Sequence, residues 1–380
     1  MKGRDAALAV AGIVTFLNLY APQAVLPALA ASFAVAPSRM GLAVTAPLLA
    51  VALVAPLAGL VSDRLGRKAL ILGACALLVV PTALIAGTHS LEAMLLWRFA
   101  QGALLPFIFP VAVAYIGDEC PGAEGIRAAS WYSTGSILGG FGGRAIAGLV
   151  TDLLGDWRMA FLVLAVLAAA SAVLIAVLLP RERNFQPVRP EPALYRAHLR
   201  NPRLLSICAV GFGMLFANVA TFTFVNFHLA APPYSLTSAQ LGLVFSVYLL
   251  GAVTTALSSR LTLRIGWRKT LAAALLLAGA GLLLTLAPVT ALAIAGLAGL
   301  SGGLFVVQAL CIGFIGAVVP RGKSAAVGLY VTLYYIGGAL GGVLPGAVWH
   351  SAGWPGVVAL ILAMLAAMMA VAARHWTAPL

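Results

Sequence analysis

Two permanent cations stand inside apolar stretches of the chain: Arg98 in "LLWRFAQGALL" and Arg144 in "ILGGFGGRAIAGLV". An arginine within a hydrocarbon span costs about 2.5–3.5 kcal/mol on insertion scales, so it normally faces water or a partner. None of the ten Asp and Glu residues falls clearly within such a span. Three uses of the guanidinium remain. It can snorkel outward, donate to backbone carbonyls freed around Pro106 and Pro110, or offer a fork to an anionic or strongly polar solute in a wet cavity. The third use is the expectation for both.

Further hydrogen-bonding side chains recur in the same setting. Arg98 and Gln101 are three apart and project from one helix face. Asn18, Tyr20 and Gln23 cluster near Pro22. Asn218, Thr221 and His228 form one stripe of a helix, and Gln308 and Tyr334 extend the set, together with Tyr248 and Tyr330. These are the candidate substrate contacts. A carboxylate able to carry a proton is not evident in the spans, which leaves His228 as the titratable candidate. No nucleophile with its base, no paired carboxylates and no metal-ligand spacing is present, so neither an enzyme nor a bound cofactor or metal is expected. "GAVVPRGKSA", Gly316 to Ala325, places five residues between its glycines where a phosphate loop needs four.

The elements that position these groups follow from composition. Of 380 residues 62% are hydrophobic and 9% charged, with mean hydropathy +1.05, far from the roughly 25% charged of soluble domains. Apolar runs long enough to cross the bilayer as helix recur at about 6–28, 40–61, 69–87, 92–116, 127–150, 158–179, 204–229, 238–259, 270–287, 290–318, 324–348 and 355–373. The expected fold is all-α, with twelve transmembrane helices.

The net charge of +13 is topological. With the N-terminus inside, 19 of the 23 Lys and Arg residues fall on cytoplasmic segments, which is the positive-inside pattern. Nucleic acid is therefore not a partner. A multi-pass inner-membrane protein with both termini cytoplasmic is expected.

The arginine- and proline-rich stretch from Pro180 to Arg203 divides the spans six and six. The organisation expected is a bundle at 1–180, a cytoplasmic linker at 181–203 and a second bundle at 204–380. An offset of about 200 residues brings matches into register: Asn18 with Asn218, Arg64-Leu65-Gly66 with Arg264-Ile265-Gly266, and Gly102 with Gly302. Such parallel repeats place a solute site at mid-membrane. The copy is degenerate, since Asp63, Arg98, Asp118 and Arg144 meet Leu263, Ala298, Ala317 and Val343.

Between spans 2 and 3 stands "GLVSDRLGRKAL", Gly59 to Leu70. This G-x-x-x-D-R-x-G-R-K pattern resembles the loop signature of the major facilitator superfamily, and the six-plus-six plan extends the resemblance over the whole chain. It implies a secondary transporter working by rocker-switch alternating access, expected as a monomer, with a small-molecule substrate, membrane lipid and coupling protons as partners. It also implies a conformational latch. Gly59 and Gly66 shape the loop, Asp63 caps a helix, Arg64 adds charge, and Arg67 pairs with Asp118 or Glu119. The plain alternative is that Arg64, Arg67 and Lys68 only set topology. "RFAQG" is similar to the R-x-x-Q-G element of the superfamily's drug and metabolite exporters, so proton-coupled efflux of a drug or metabolite is expected, with uptake or exchange of an anion as the alternative. In span 5, Gly140 and Arg144 replace the proline and a glycine of the exporters' pattern. That departure brings the chain nearer the cyanate-permease-like branch. Gly135, Gly139 and Gly143 keep a ridge of small residues for close packing.

Overall fold

A computed structural model describes residues 3–184, 197–319 and 322–376. Most of the central linker, 185–196, the surroundings of Gly59 and the side chain of Asp63 lie outside the described residues.

The described chain is helical, and eleven of its helices are long and apolar enough to cross a membrane. They are α1 (Gly3–Ser32), α2 (Pro37–Ala58), α3 (Arg67–Ala86), α4 (Leu91–Glu119), α5 (Ala123–Leu154), α6 (Trp157–Leu178), α7 (Pro202–Ala230), α8 (Ser238–Ile265), α9 (Trp267–Leu284), α10 (Thr290–Val318) and α11 (Ala325–His375). The count of twelve differs at the end of the chain. The two runs expected at 324–348 and 355–373 form one helical stretch of 51 residues, interrupted at Gly353, whose φ of 58° and ψ of −150° are not helical. A glycine without a Cβ takes that conformation without strain.

Prolines set two of the other interruptions, because each removes an amide donor from the helix ladder, whereas α2 is interrupted at Gly41 and α8 at Phe245–Ser246 without one. Helix α1 breaks into a 3-10 turn at Ala21–Val25 around Pro22, and α4 does so at Leu105–Phe107 around Pro106.

The chain forms two compact units. The first comprises Met1–Val35, Ala46–Pro190 and Thr237–Leu243. Its centre is α1 against the ridge of α5: a Cβ added to Gly135, Gly139 or Gly143 would lie 2.1, 2.3 or 2.4 Å from the carbonyl oxygens of Ala9, Ile13 and Leu17. The expected ridge is thus a backbone-to-backbone contact, as small residues permit between membrane helices.

The second unit comprises Ala36–Thr45, Glu191–Leu236 and Val244–Leu380. Its central helix, α7, is buried along most of its length, from Leu204 to Leu229. Helix α11 meets it through Gly337 and Gly341, where a Cβ would stand 2.1 and 2.5 Å from the carbonyl oxygens of Phe212 and Phe216. These positions repeat Gly139 and Gly143 against Ile13 and Leu17 at about the offset read from the sequence.

Candidate functional site

The interruption of α1 organises the polar groups of the first unit. Pro22 has no N–H to offer the carbonyl four residues earlier, so Asn18 O is left without its helical donor. Arg98 supplies one: its Nη1 donates to Asn18 O at 2.9 Å and its Nη2 to Leu19 O at 2.6 Å. Gln101 Oε1 accepts a third bond from Arg98 Nη1 at 2.6 Å. Gln101 Nε2 donates in turn to Thr82 Oγ1 at 2.7 Å, and the Thr82 hydroxyl lies 3.0 Å from Asn18 Oδ1. Asn18 Nδ2 closes onto Val14 O. Arg98, Gln101, Thr82 and Asn18 are all buried, so α1, α3 and α4 are joined by a satisfied polar network.

Arg144 grips the same interruption from α5. Its Nε and Nη2 donate to Gln23 Oε1 at 2.8 and 2.5 Å, its Nη1 donates to Gly140 O at 2.6 Å, and its guanidinium lies 4.5 Å from the centroid of the Tyr20 ring. A Cβ at Gly140 would sit 3.6 Å from Arg144 Nη1, an ordinary contact, so the arm packs directly over this position. The arginine that replaces a glycine in span 5 thus ties α5 to the interruption of α1.

These contacts correct the first expectation. Both guanidiniums are buried, Arg98 at 0% and Arg144 at 1% relative exposure, and both donate to protein acceptors. Donation to freed carbonyls is the chemistry found for Arg98, with Pro22 responsible rather than Pro106 or Pro110, whereas Arg144 donates to the Gln23 side chain and to a carbonyl of its own helix. A second correction concerns acids. Asp5, at the start of α1, is 1% exposed. It accepts from Arg127 Nε at 2.9 Å through one oxygen, while its Oδ1 has no partner among the described residues.

In the second unit Asn218 and Gln308 each meet a phenol. Tyr248 OH donates to Asn218 Oδ1 at 3.0 Å, and Tyr334 OH to Gln308 Oε1 at 3.2 Å. Tyr330 stacks on Tyr334 with ring centroids 5.7 Å apart, and its hydroxyl is buried beside the Cys311 thiol. Thr221 is buried on α7, and its hydroxyl has no partner among the described residues. His228 stands apart from these pairs, stacked on Trp354 at 5.5 Å and edge-on to Tyr234. The stripe Asn218, Thr221 and His228 is therefore one helix with separate surroundings for each residue.

At the charged end of the first unit, Arg67 Nε donates to Asp118 Oδ2 at 3.1 Å, and Arg67 also bonds the Ser62 hydroxyl. Of the two acids offered to Arg67, Asp118 is the partner. Glu119 instead accepts from the amides of Arg183 and Asn184 at 2.8 and 2.6 Å. Arg64 is exposed. Gly66 turns the loop with φ of 86°, where the Glu182 carboxylate would meet any Cβ. Ser62, Thr82 and Glu182 were not read from the sequence. Thr82, a hydroxyl in the otherwise apolar α3, carried the clearest signal.

A family model described as Major Facilitator Superfamily matches residues 8–234. The chain belongs to the major facilitator superfamily. It is 31% identical over 374 residues to the inner membrane transport protein YnfM of Escherichia coli, covering 97% of this chain and 89% of that one. A shorter match, 32% over 185 residues, covers 48% of this chain and 44% of the multidrug resistance protein MdtG of Proteus mirabilis. Among solved structures, a mutant of the nucleoside transporter NupG shares the fold with a TM-score of 0.80 at 15% identity, covering 98% and 100% of the two chains. The protein is a multi-pass, secondary-active membrane transporter and not an enzyme.

Proposed function

We propose that this superfamily member exports a drug-like or small metabolic solute in exchange for protons, by alternating access of two six-helix bundles. The bundles are 1–180 and 204–380, joined by the linker 181–203, and the two arms of α11 about Gly353 are its eleventh and twelfth crossings. At about 1.5 Å per residue a helix of this length would exceed twice a hydrocarbon core of about 30 Å. The observation that carries the solute class is the consumption of both guanidiniums by protein acceptors. A fork already bonded to Asn18, Leu19 and Gln101, or to Gln23 and Gly140, is not poised for a carboxylate.

Recognition then falls to neutral groups: Tyr20, Gln308 and Tyr334, with Asn218 and Thr221. The resemblance of "RFAQG" to the exporters' element, and the partial match to MdtG, support outward transport. Gly59, Asp63, Arg64, Gly66, Arg67 and Asp118 act as the latch, of which the Arg67–Asp118 pair is the part with observed geometry. Proteoliposomes with an imposed pH gradient test the reading. Accumulation of uncharged or lipophilic compounds, reduced about tenfold by Gln308→Leu, is expected. Transport confined to organic carboxylates would transfer the assignment to anion exchange.

A further inference from the structure

The second unit holds a groove of about 490 Å³ where α8, α9 and α10 meet. That size lies within the roughly 300–1,000 Å³ of ligand sites. Its wall is almost wholly apolar, with Leu257, Leu261, Leu277 and Val306 among the lining side chains, and two guanidiniums, Arg260 and Arg264, stand at one end. These two arginines are one helical turn apart on α8, so they lie on the same face. Arg268 and Lys269 follow directly after the turn at Gly266, and all four cations are exposed.

What is missing around this cluster is as informative as what is present. In the first unit two acids stand beside the basic loop: Arg67 pairs with Asp118, and Glu182 accepts from the Lys68 amide at 3.3 Å. At the offset of the repeat, Arg67 and Asp118 become Trp267 and Ala317, so that pair is absent as a whole, and the sequence has no Asp or Glu after Glu191. Among the described residues, none of the four cations makes an ion pair. Four exposed cations thus stand together without an acidic side chain paired to them among the described residues, in a place where the neighbouring surface is apolar.

We propose that this groove is a binding site for an anionic phospholipid, with one acyl chain along Leu257, Leu261, Leu277 and Val306 and the headgroup phosphate on Arg260 and Arg264. Topology-setting arginines alone would attract anionic lipid diffusely, by charge number. A built site distinguishes these positions from other arginines and requires an acyl chain.

Native mass spectrometry of the full chain, titrated with phosphatidylglycerol or phosphatidylcholine, separates these cases. Phosphatidylglycerol adducts are expected at least threefold above phosphatidylcholine adducts. The preference should vanish in R260Q/R264Q and persist in the charge-matched R200Q/R203Q. Ala273→Trp, which fills the groove wall and leaves every charge in place, should lower adduct retention about tenfold, and it decides the matter if R260Q/R264Q does not fold. Equal losses in the two arginine pairs, an unaffected Ala273→Trp protein, or competition by inorganic phosphate as effective as by the lipid would each overturn the proposal.

Discussion

Arg144 and Gln23 form a buried pair in which one side-chain oxygen accepts from two guanidinium nitrogens. Gln23→Leu removes the acceptor of two Arg144 donors, and hydrogen bonds to a charged group contribute about 1.5–3 kcal/mol. Thermal unfolding in detergent should show that loss, and Gln23→Leu with Arg144→Leu should recover part of it, giving a non-additive cycle. The residue types of this site were legible in the sequence, because an arginine or glutamine in an apolar span always asks for a partner. Which partner was not legible: Arg98 reaches carbonyls about 80 residues away, freed by a proline on another helix, and only the fold brings them together. Cys120 offers a pH test outside the spans. It is buried at 5% exposure, and burial first, then the nearby Glu124, Asp5 and Glu119, raise its thiol above the ordinary value of 9, while Arg4 opposes them. The folded state thus favours the protonated thiol. Its stabilising contribution is complete below the unfolded thiol's pKa and is lost as pH rises through the folded value. Alkylation of Cys120 should accordingly be slow near neutrality and accelerate at higher pH than for a free thiol.

At the scale of the element, the glycine ridge of α5 makes a sharper forecast than any polar contact. Gly139 faces the Ile13 carbonyl so closely that even one methyl must displace backbone, whereas Gly142, three residues on, has nothing within 4 Å of its added Cβ. Gly139→Ala should cost about 1–3 kcal/mol or more by overpacking. Gly142→Ala should be neutral or stabilising by up to about 1 kcal/mol through helix propensity. Unfolding midpoints of the two variants decide this, and equal effects would mean that α5 does not meet α1 along that ridge. Gly-x-x-x-Gly spacing made the ridge readable in advance, and the breaks at Pro22 and Pro106 were likewise implied by proline chemistry. The last helix was less readable. Its apolar pattern shows a gap at 349–354, but whether the chain leaves the helix there depends on the single left-handed residue Gly353, which composition does not report.

Over the whole molecule, each compact unit contains a short segment from the opposite half of the sequence, and the two exchanges are related by the repeat. In the second unit a Cβ on Gly41 would stand 2.1 Å from Gly342 O, and one on Gly346 would stand 2.8 Å from Ser38 Cα. In the first unit, Gly242 meets Arg144 O at 2.7 Å by the same measure, and Gly148 meets Ser238 O at 2.1 Å. Ser38 with Ser238, Gly41 with Gly242 and Gly148 with Gly346 are all about 200 residues apart, so the degenerate repeat that was faint in sequence is explicit in contacts. One feature breaks the equivalence: Asp152 accepts from the amides of Ser238 and Ala239 at 3.1 and 2.9 Å, and the residue at its repeat position is His350. A carboxylate on the first amides of a helix contributes about 1 kcal/mol. Asp152→Ala should therefore free the start of α8 from α5 about fivefold more often. With Ala239→Cys as reporter, maleimide labelling should rise by that factor in the Asp152→Ala background. Gly148→Leu, which removes the close approach itself, should raise it further. Unchanged labelling in both would show that the segment Thr237–Leu243 is held by neither contact.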